Sequence, residues 1–142
     1  MINTDACFLE DTQKGGIGFR WVLYGDQLSK VVSREWTFRS AFEGKALAIR
    51  EAMLLALEEV YDLLMVKLDG NKLIDILSSG GNGACNSVSS IVRDTLYLAA
   101  KCKIYNFSFI PRDGNYIAHF LARKVTTVSE SVSWPLQDLS HL

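Results

Sequence analysis

Three carboxylates stand where the chain could bring them together. Asp5 lies in a short apolar stretch, Glu43 lies at the start of an amphipathic segment, and Asp69 ends the apolar run 63–68. Converging carboxylates repel one another and raise one another's pKa, a penalty that a divalent cation removes. Hard oxygen ligands with free coordination positions suit Mg²⁺ or Mn²⁺ acting on phosphate. The residue types therefore allow a metal site for phosphate chemistry.

Asp69 also has a simpler interpretation. It precedes a segment of helical periodicity that begins at Lys72, so its carboxylate could cap the N-terminus of that helix. Spacing alone does not decide between a helix cap and a metal ligand.

The elements that would position these carboxylates follow from the hydrophobic periodicity. The predicted order is βββαβααβα. The predicted strands are Met1–Phe8, Phe19–Tyr24, Leu28–Phe38, Leu63–Asp69 and Lys103–Ile110. The predicted helices are 42–60, 72–77, one from Asn86 or Ser87 to about Lys101, and Asn115–Val125.

This order predicts an α/β fold with a mixed sheet and helices on both faces. Strands that alternate with helices pair in parallel, whereas short connections between the first three strands indicate antiparallel hairpins. Sites in open α/β sheets form at the carboxyl ends of strands. If the first and fourth strands are neighbours, Asp5 and Asp69 lie side by side and the long helix can bring Glu43 above them.

Length and composition limit the class of protein. The chain has 142 residues, which suits one domain, and 15 Lys and Arg against 16 Asp and Glu give a net charge of −1. This balance argues against strong nonspecific binding to nucleic acid. The sequence contains no run of about 18 apolar residues, and we expect no membrane association.

The cysteines and the first residues of the sequence bear on the cellular compartment of the protein and on whether it is part of a larger one. Three cysteines without metal-ligand spacing are typical of reduced thiols, which predicts an intracellular protein of the nucleus or cytoplasm. The first residues do not form a signal peptide and soon become strand-like. This indicates either an excised domain of a larger protein or a short reading frame.

Five segments in series resemble type 1 ribonuclease H. The similarity is greatest to the plant RNase H-like domain of non-LTR retrotransposon reverse transcriptases and their domesticated relatives. The segments are Asn3–Ala6, Gly15–Gly18, Phe42–Ala52, Val66–Asp69 and Ile110–Arg123. The resemblance implies a five-stranded mixed sheet in the order 3-2-1-4-5. It covers residues 1–125, which we predict to form the RNase H-like domain, and leaves 126–142 as a loosely packed C-terminal tail.

The resemblance implies a metal-dependent endoribonuclease that cleaves the RNA strand of an RNA–DNA hybrid. Family members use two Mg²⁺ or Mn²⁺ ions held by four acidic residues. By position, Asp5 would bridge both ions, and Glu43 and Asp69 would hold the second ion. His119 stands where the family has the acidic residue that holds the first ion. Imidazole is a softer ligand, so this site should favour Mn²⁺. Alternatively, His119 is a surface or half-buried residue without a ligand role.

Other positions depart from the family or match its contacts to substrate. Lys45 stands where a second glutamate often follows the catalytic one, and it is either a phosphate contact or, as we expect, a solvated residue. Residues 38–40 lack the family's minor-groove Thr and Asn. Asn71 matches a minor-groove amide, and Arg112 and Asn115 could contact phosphate or water. Recognition of the hybrid would depend on 2′-hydroxyls and A-like shape.

Two hypotheses therefore remain open. The first is the metal-dependent ribonuclease, which rests on Asp5, Glu43 and Asp69. The second is a catalytically inactive RNase H-like module that binds nucleic acid or a protein, which rests on His119 and the net charge of −1. Another nuclease or transferase on the same fold fits the last helix less well. We expect a monomer, and a larger polyprotein is an open alternative for its context.

Overall fold

The computed structural model describes residues 2–9, 12, 14–22, 29–58, 64–101, 104–128 and 132–135. Within these ranges the strands are β1 (Ile2–Leu9), β2 (Lys14–Val22), β3 (Ser29–Trp36), β4 (Leu64–Leu68), β5 (Ile104–Phe109) and β6 (Val132–Pro135). The helices are α1 (Ala41–Glu58), α2 (Asn71–Ser78), α3 (Ser89–Lys101) and α4 (Tyr116–Val128), and a 3₁₀ turn spans Arg112–Asn115 before α4.

The sheet confirms the predicted class and strand order. Its order is β5-β4-β1-β2-β3-β6, so the first five strands have the 3-2-1-4-5 arrangement. β1 pairs antiparallel with β2, and β2 pairs antiparallel with β3. β4 pairs in parallel with both β1 and β5. Because β1 and β4 are neighbours, Asp5 in the middle of β1 lies close to Asp69, which directly follows β4.

The segment 126–142 contains structure that the sequence analysis did not predict. α4 continues to Val128, and β6 pairs antiparallel with β3 from Lys30 opposite Pro135 to Ser33 opposite Val132. A four-residue strand is too short to show a period of two, and its partner lies about a hundred residues earlier in the chain. Proline is tolerated in β6 because this strand lies at an edge of the sheet.

The start of α1 is fixed by a capping interaction. The backbone N–H of Glu43 donates to Ser40 Oγ at 3.1 Å, and the N–H of Gly44 donates to the Ser40 carbonyl at 3.0 Å. Serine followed three residues later by glutamate is the sequence signature of the capping box. Glu43 thus lies in the first turn of α1, where the helix dipole favours a carboxylate.

α4 packs on the opposite face of the sheet from α1, which confirms helices on both faces. A β-carbon at Gly18 would lie 2.4 Å from the Ala118 carbonyl oxygen, so α4 crosses β2 at a position where only glycine fits. Ser33 Oγ donates to the Leu121 carbonyl and ties α4 to β3. Asp5 is paired with Gly18 across the β1–β2 ladder, and opposed residues point to the same face. The Asp5 side chain therefore faces α4.

The main apolar core lies on the α1 side. Phe19, Ile49, Met53, Val66 and Leu73 belong to it and are almost completely inaccessible to solvent. No helix among the described residues is long and apolar enough to cross a membrane.

Candidate active site

Asp5, in the middle of β1, and Asp69, which directly follows β4, are adjacent. The parallel register pairs Ile2 with Val66 and Asn3 with Lys67, and two further steps bring Asp5 opposite Asp69. The Asp5 side chain is 1% exposed and the Asp69 side chain 6%. The predicted convergence of these two acids is therefore observed, in a nearly buried setting.

The Lys45 ammonium lies between the two carboxylates. Its Nζ donates to Asp69 Oδ1 at 2.8 Å and lies 3.9 Å from Asp5 Oδ1. The Lys45 side chain runs past Gly70, where an added β-carbon would lie 3.9 Å from Lys45 Cδ. The expectation that Lys45 is a solvated residue was wrong, because the helix turns it toward the acids and leaves its side chain 24% exposed.

His119 contacts Asp5 from α4. Its Nδ1 lies 2.8 Å from Asp5 Oδ2. An ionised Asp5 carboxylate can only accept, so in that state Nδ1–H donates to it. This pairing of a carboxylate with imidazole is the arrangement that orients metal-binding histidines elsewhere. His119 is therefore half-buried and in contact with Asp5.

The electrostatics of the site disfavour ionised Asp5. Burial raises the pKa of Asp5 above its ordinary range, and the neighbouring Asp69 charge raises it further. A backbone N–H, His119 and Lys45 act in the opposite direction and lower the pKa, but by less. The position thus carries an excess of negative charge that a bound cation would relieve.

Two carboxylate oxygens accept no hydrogen bond from the described residues. They are Asp5 Oδ1 and Asp69 Oδ2, and both are buried. Asp69 is also not the cap of α2, because Gly70 holds the N-cap position and no side chain caps this helix. The simpler interpretation of Asp69 as a helix cap is therefore excluded, and its ion pair with Lys45 explains its burial.

Glu43 does not join this group. Among the described residues, which include Asp5, Glu43, Asp69 and His119, no three His, Cys, Asp or Glu side chains lie close enough to hold a metal ion. Glu43 and Lys45 are two positions apart, about 200° around an α-helix, so only one of them can face the sheet end. The capping box fixes the start of α1, and the residue that faces the acids is Lys45.

The three predicted nucleic-acid contacts differ in their surroundings. Asn71 is exposed at the first position of α2, and Arg112 is exposed in the 3₁₀ turn. Asn115, in contrast, is fully buried, and its Nδ2 donates to the Thr4 carbonyl at 2.8 Å. This hydrogen bond ties the start of α4 to the backbone next to Asp5. Asn115 is thus placed to support the site and not to touch a ligand.

Lys45 is the site residue that sequence reasoning missed. It precedes Ala48, Ala52 and Ala56 at intervals of three, four and four residues, and these alanines are completely buried. A line of buried small residues at this spacing marks the face of a helix that packs most closely. Extending that line backwards reaches Lys45 and not Glu43, which is the signal that could have identified it.

Known proteins share the sequence pattern and the fold. Residues 3–125 match the family described as reverse transcriptase-like. RNase H1 from the halophilic archaeon Halobacterium salinarum NRC-1 superimposes with a TM-score of 0.82 at 13% identity, covering 89% of this chain and 96% of that one. No curated protein matches the chain in sequence.

Two further structures contain a nucleic acid. LC11-RNase H1, which was isolated from compost and solved with an RNA/DNA hybrid, has a TM-score of 0.71 at 14% identity, covering 87% of this chain and 93% of its own. The foamy viral protease-reverse transcriptase with RNA/DNA hybrid has a TM-score of 0.65 at 13% identity, covering 87% of this chain and 19% of that longer one. Because the family match spans most of the sequence and the fold agrees, this chain belongs to the reverse transcriptase-like family and has the fold of type 1 RNase H.

Proposed function

We propose that this domain binds RNA–DNA hybrids and hydrolyses the RNA strand in a metal-dependent reaction. The observation that carries the proposal is the pair of buried carboxylates, Asp5 and Asp69, with His119 hydrogen-bonded to Asp5. The substrate class is supported by LC11-RNase H1 and the foamy viral enzyme, which share the fold and were solved with RNA/DNA hybrids.

The donor set fits one divalent cation. Asp5 Oδ1 and Asp69 Oδ2 are buried without hydrogen bonds from the described residues, and carboxylate oxygens are the ligands that Mg²⁺ and Mn²⁺ prefer. Such an ion would stabilise charge on the scissile phosphate and acidify a bound water. The four-ligand set expected for two ions is not assembled, because Lys45 faces the acids where Glu43 was expected, so two ions are not part of this proposal.

The protein residues have separate tasks in this scheme. Asp5 and Asp69 would hold the cation, and the hydrogen bond between His119 Nδ1 and Asp5 Oδ2 would fix the orientation of the Asp5 carboxylate. Asn115 holds the β1 backbone at Thr4 and thus keeps Asp5 in place. Ligands held on two strands and a helix can keep their separation while a substrate binds.

Contacts to the hybrid are proposed for two exposed residues near the site. Asn71 follows Asp69 by two positions at the start of α2, and Arg112 lies in the turn before α4. An amide can read the minor groove, and a guanidinium can pair with a phosphate. The net charge of −1 limits nonspecific attraction to nucleic acid, so we expect modest affinity for free hybrid.

Lys45 favours a second candidate function, which is binding of nucleic acid without cleavage. A positive charge 2.8 Å from Asp69 already neutralises part of the acidic pair. If no divalent ion displaces it, the fold would keep the hybrid-binding surface without hydrolysis. The two candidates differ in whether a bound hybrid is cut.

One experiment tests the substrate class and separates the candidates. End-labelled RNA–DNA hybrid, duplex RNA, duplex DNA and single-stranded RNA of one sequence are incubated with the protein in Mn²⁺, with binding measured in parallel in EDTA. The proposal predicts cleavage of the RNA strand in the hybrid alone, and Asn71→Ala and Arg112→Ala should weaken binding. Selective binding without cleavage supports the second candidate, and equal treatment of all four nucleic acids contradicts both.

The compartment and the molecular context of the domain are also proposals. We propose that it acts inside the cell, as a monomer or within a larger polyprotein of the plant retrotransposon type. The family match to reverse transcriptase-like sequences and the likeness to one part of the foamy viral chain support a larger context.

A further inference from the structure

A cation in contact with the acidic pair is part of the chain itself. Lys45 Nζ lies 2.8 Å from Asp69 Oδ1 and 3.9 Å from Asp5 Oδ1. Asp5 and Asp69 together contribute two negative charges when ionised, and the ammonium offsets one of them. The ion pair is mostly shielded from water, because the Asp5 and Asp69 side chains are 1% and 6% exposed.

The position of Lys45 is fixed by the fold. It lies on the same face of α1 as the completely buried Ala48 and Ala52, so the helix cannot rotate Lys45 away without exposing its packed side. Its four-carbon stem, however, is flexible and can withdraw the ammonium toward solvent. The backbone is therefore fixed while the charge can move.

We infer that Lys45 is an internal counter-ion that occupies the cation position of the site, so that a divalent ion binds Asp5 and Asp69 only when the ammonium withdraws. The inference rests on the proposed function only in taking these two carboxylates as the ion site. It assigns Lys45 as a positioning residue that sets the affinity for the metal. It also predicts that the metal-free domain is stabilised by Lys45 and the metal-bound domain is not.

The experiment is Mn²⁺ titration of the whole chain by isothermal calorimetry, without nucleic acid. Lys45→Met removes the charge and keeps a long side chain. It should tighten Mn²⁺ binding about 10- to 100-fold, because a charge about 4 Å from the ion site opposes it strongly near a protein surface. Lys45→Arg keeps the charge and should bind Mn²⁺ as weakly as the wild type.

Lys72→Met is the matched control for the loss of one positive charge. Lys72 lies on α2, and its Nζ is 5.3 Å from the centre of the Phe42 ring and not on the acidic pair. Lys72→Met should change the Mn²⁺ affinity by no more than about twofold, because salt screens the effect of an exposed charge.

Thermal unfolding supplies a second readout that does not depend on activity. Lys45→Met should melt below the wild type in EDTA and gain more than the wild type when Mn²⁺ is added, since a ligand of the folded state stabilises it more as its dissociation constant falls. If Lys45→Met does not unfold cooperatively, the comparison is made between Lys45→Arg and the wild type. These two folded proteins should bind Mn²⁺ with equal affinity.

Three outcomes would overturn the inference. They are unchanged Mn²⁺ affinity in Lys45→Met, equal tightening in Lys72→Met, or tighter binding in Lys45→Arg. The proposed function fails separately, if Mn²⁺ binds as predicted and no variant or wild type cleaves the hybrid.

Discussion

Gly18 links the packing of α4 to the geometry of the site. In Gly18→Ala the new β-carbon would lie 2.4 Å from the Ala118 carbonyl oxygen and 2.5 Å from the Ala122 nitrogen, where ordinary contact begins at 3.4 Å. Both neighbours are helix backbone, so α4 must move by about 1 Å to relieve the overlap, and overpacking of this kind costs about 1–3 kcal/mol.

The same movement would disturb the hydrogen bond between His119 and Asp5, which is 2.8 Å long. A displacement of about 1 Å takes that pair beyond hydrogen-bond length, and loss of a hydrogen bond to a charged group adds about 1 kcal/mol or more. We expect Gly18→Ala to lower the free energy of unfolding by about 2–4 kcal/mol in total. For a domain of this size the melting temperature should fall by about 5–15 °C.

Urea unfolding followed by circular dichroism measures this loss, and Gly70→Ala is the control. Gly70 is also next to a site residue, but its φ of −117° suits any residue and its added β-carbon would have no neighbour closer than 3.9 Å. Its substitution should change stability by less than about 1 kcal/mol. A loss in Gly18→Ala no larger than in Gly70→Ala would refute the packing of α4 on β2 described above.

Three further predictions concern single residues. Asn115→Ala should lower stability by about 1–3 kcal/mol in urea, because the buried Thr4 carbonyl loses its partner, and hybrid affinity of the folded variant should hold. The raised pKa of Asp5 means that the folded state binds its proton more tightly than the unfolded state, so this contribution is present at low pH and is lost as the pH rises. Asp5→Asn should therefore gain stability relative to the wild type as the pH rises above about 4 in EDTA. A nearby Ser87 hydroxyl lowers the pKa of the exposed Cys85 thiol, so Ser87→Ala should slow Cys85 alkylation, read by mass spectrometry.

Each of these predictions has an opposing result. Unchanged stability in Asn115→Ala would mean that the Thr4 hydrogen bond does not form. A stability difference for Asp5→Asn that does not vary with pH would contradict the raised pKa of Asp5. Faster or equal alkylation in Ser87→Ala would contradict the assigned role of its hydroxyl.

Most of the fold could be predicted from local patterns. Strands with apolar residues on both faces and helices with a 3.6-residue stripe gave the order of elements, and the connection lengths gave the parallel and antiparallel pairs. β6 could not be predicted, because its four residues pair with β3 through contacts that no local pattern records. The adjacency of Asp5 and Asp69 followed from the strand order and was predicted correctly.

The hydrophobic pattern did not determine how α1 is rotated about its axis, and therefore which side chain faces the acids. Residues 46–49 are all buried, so this helix has no purely polar face and its hydrophobic stripe does not single out one direction. Glu43 and Lys45 both lie near the start of the helix, and the carboxylate was chosen because its chemistry suited a metal. The capping signature formed by Ser40 and Glu43 was present in the sequence and would have indicated the other choice.

The environment of Asn115 was also beyond the sequence. A polar residue between a loop and a helix is usually exposed, whereas this amide is enclosed because α4 packs against β1 at that point. Only the tertiary structure shows that its donor group is used by the Thr4 carbonyl.

Cleavage of an end-labelled RNA–DNA hybrid in Mn²⁺ by the wild type and by Asp69→Asn shows whether Asp5 and Asp69 form a catalytic ion site. We expect the wild type to cut the RNA strand, EDTA to stop the reaction, and Asp69→Asn to abolish cleavage while still binding the hybrid. Absence of cleavage by the wild type, or equal cleavage by Asp69→Asn, would contradict the assignment of Asp5 and Asp69 as the catalytic ion site.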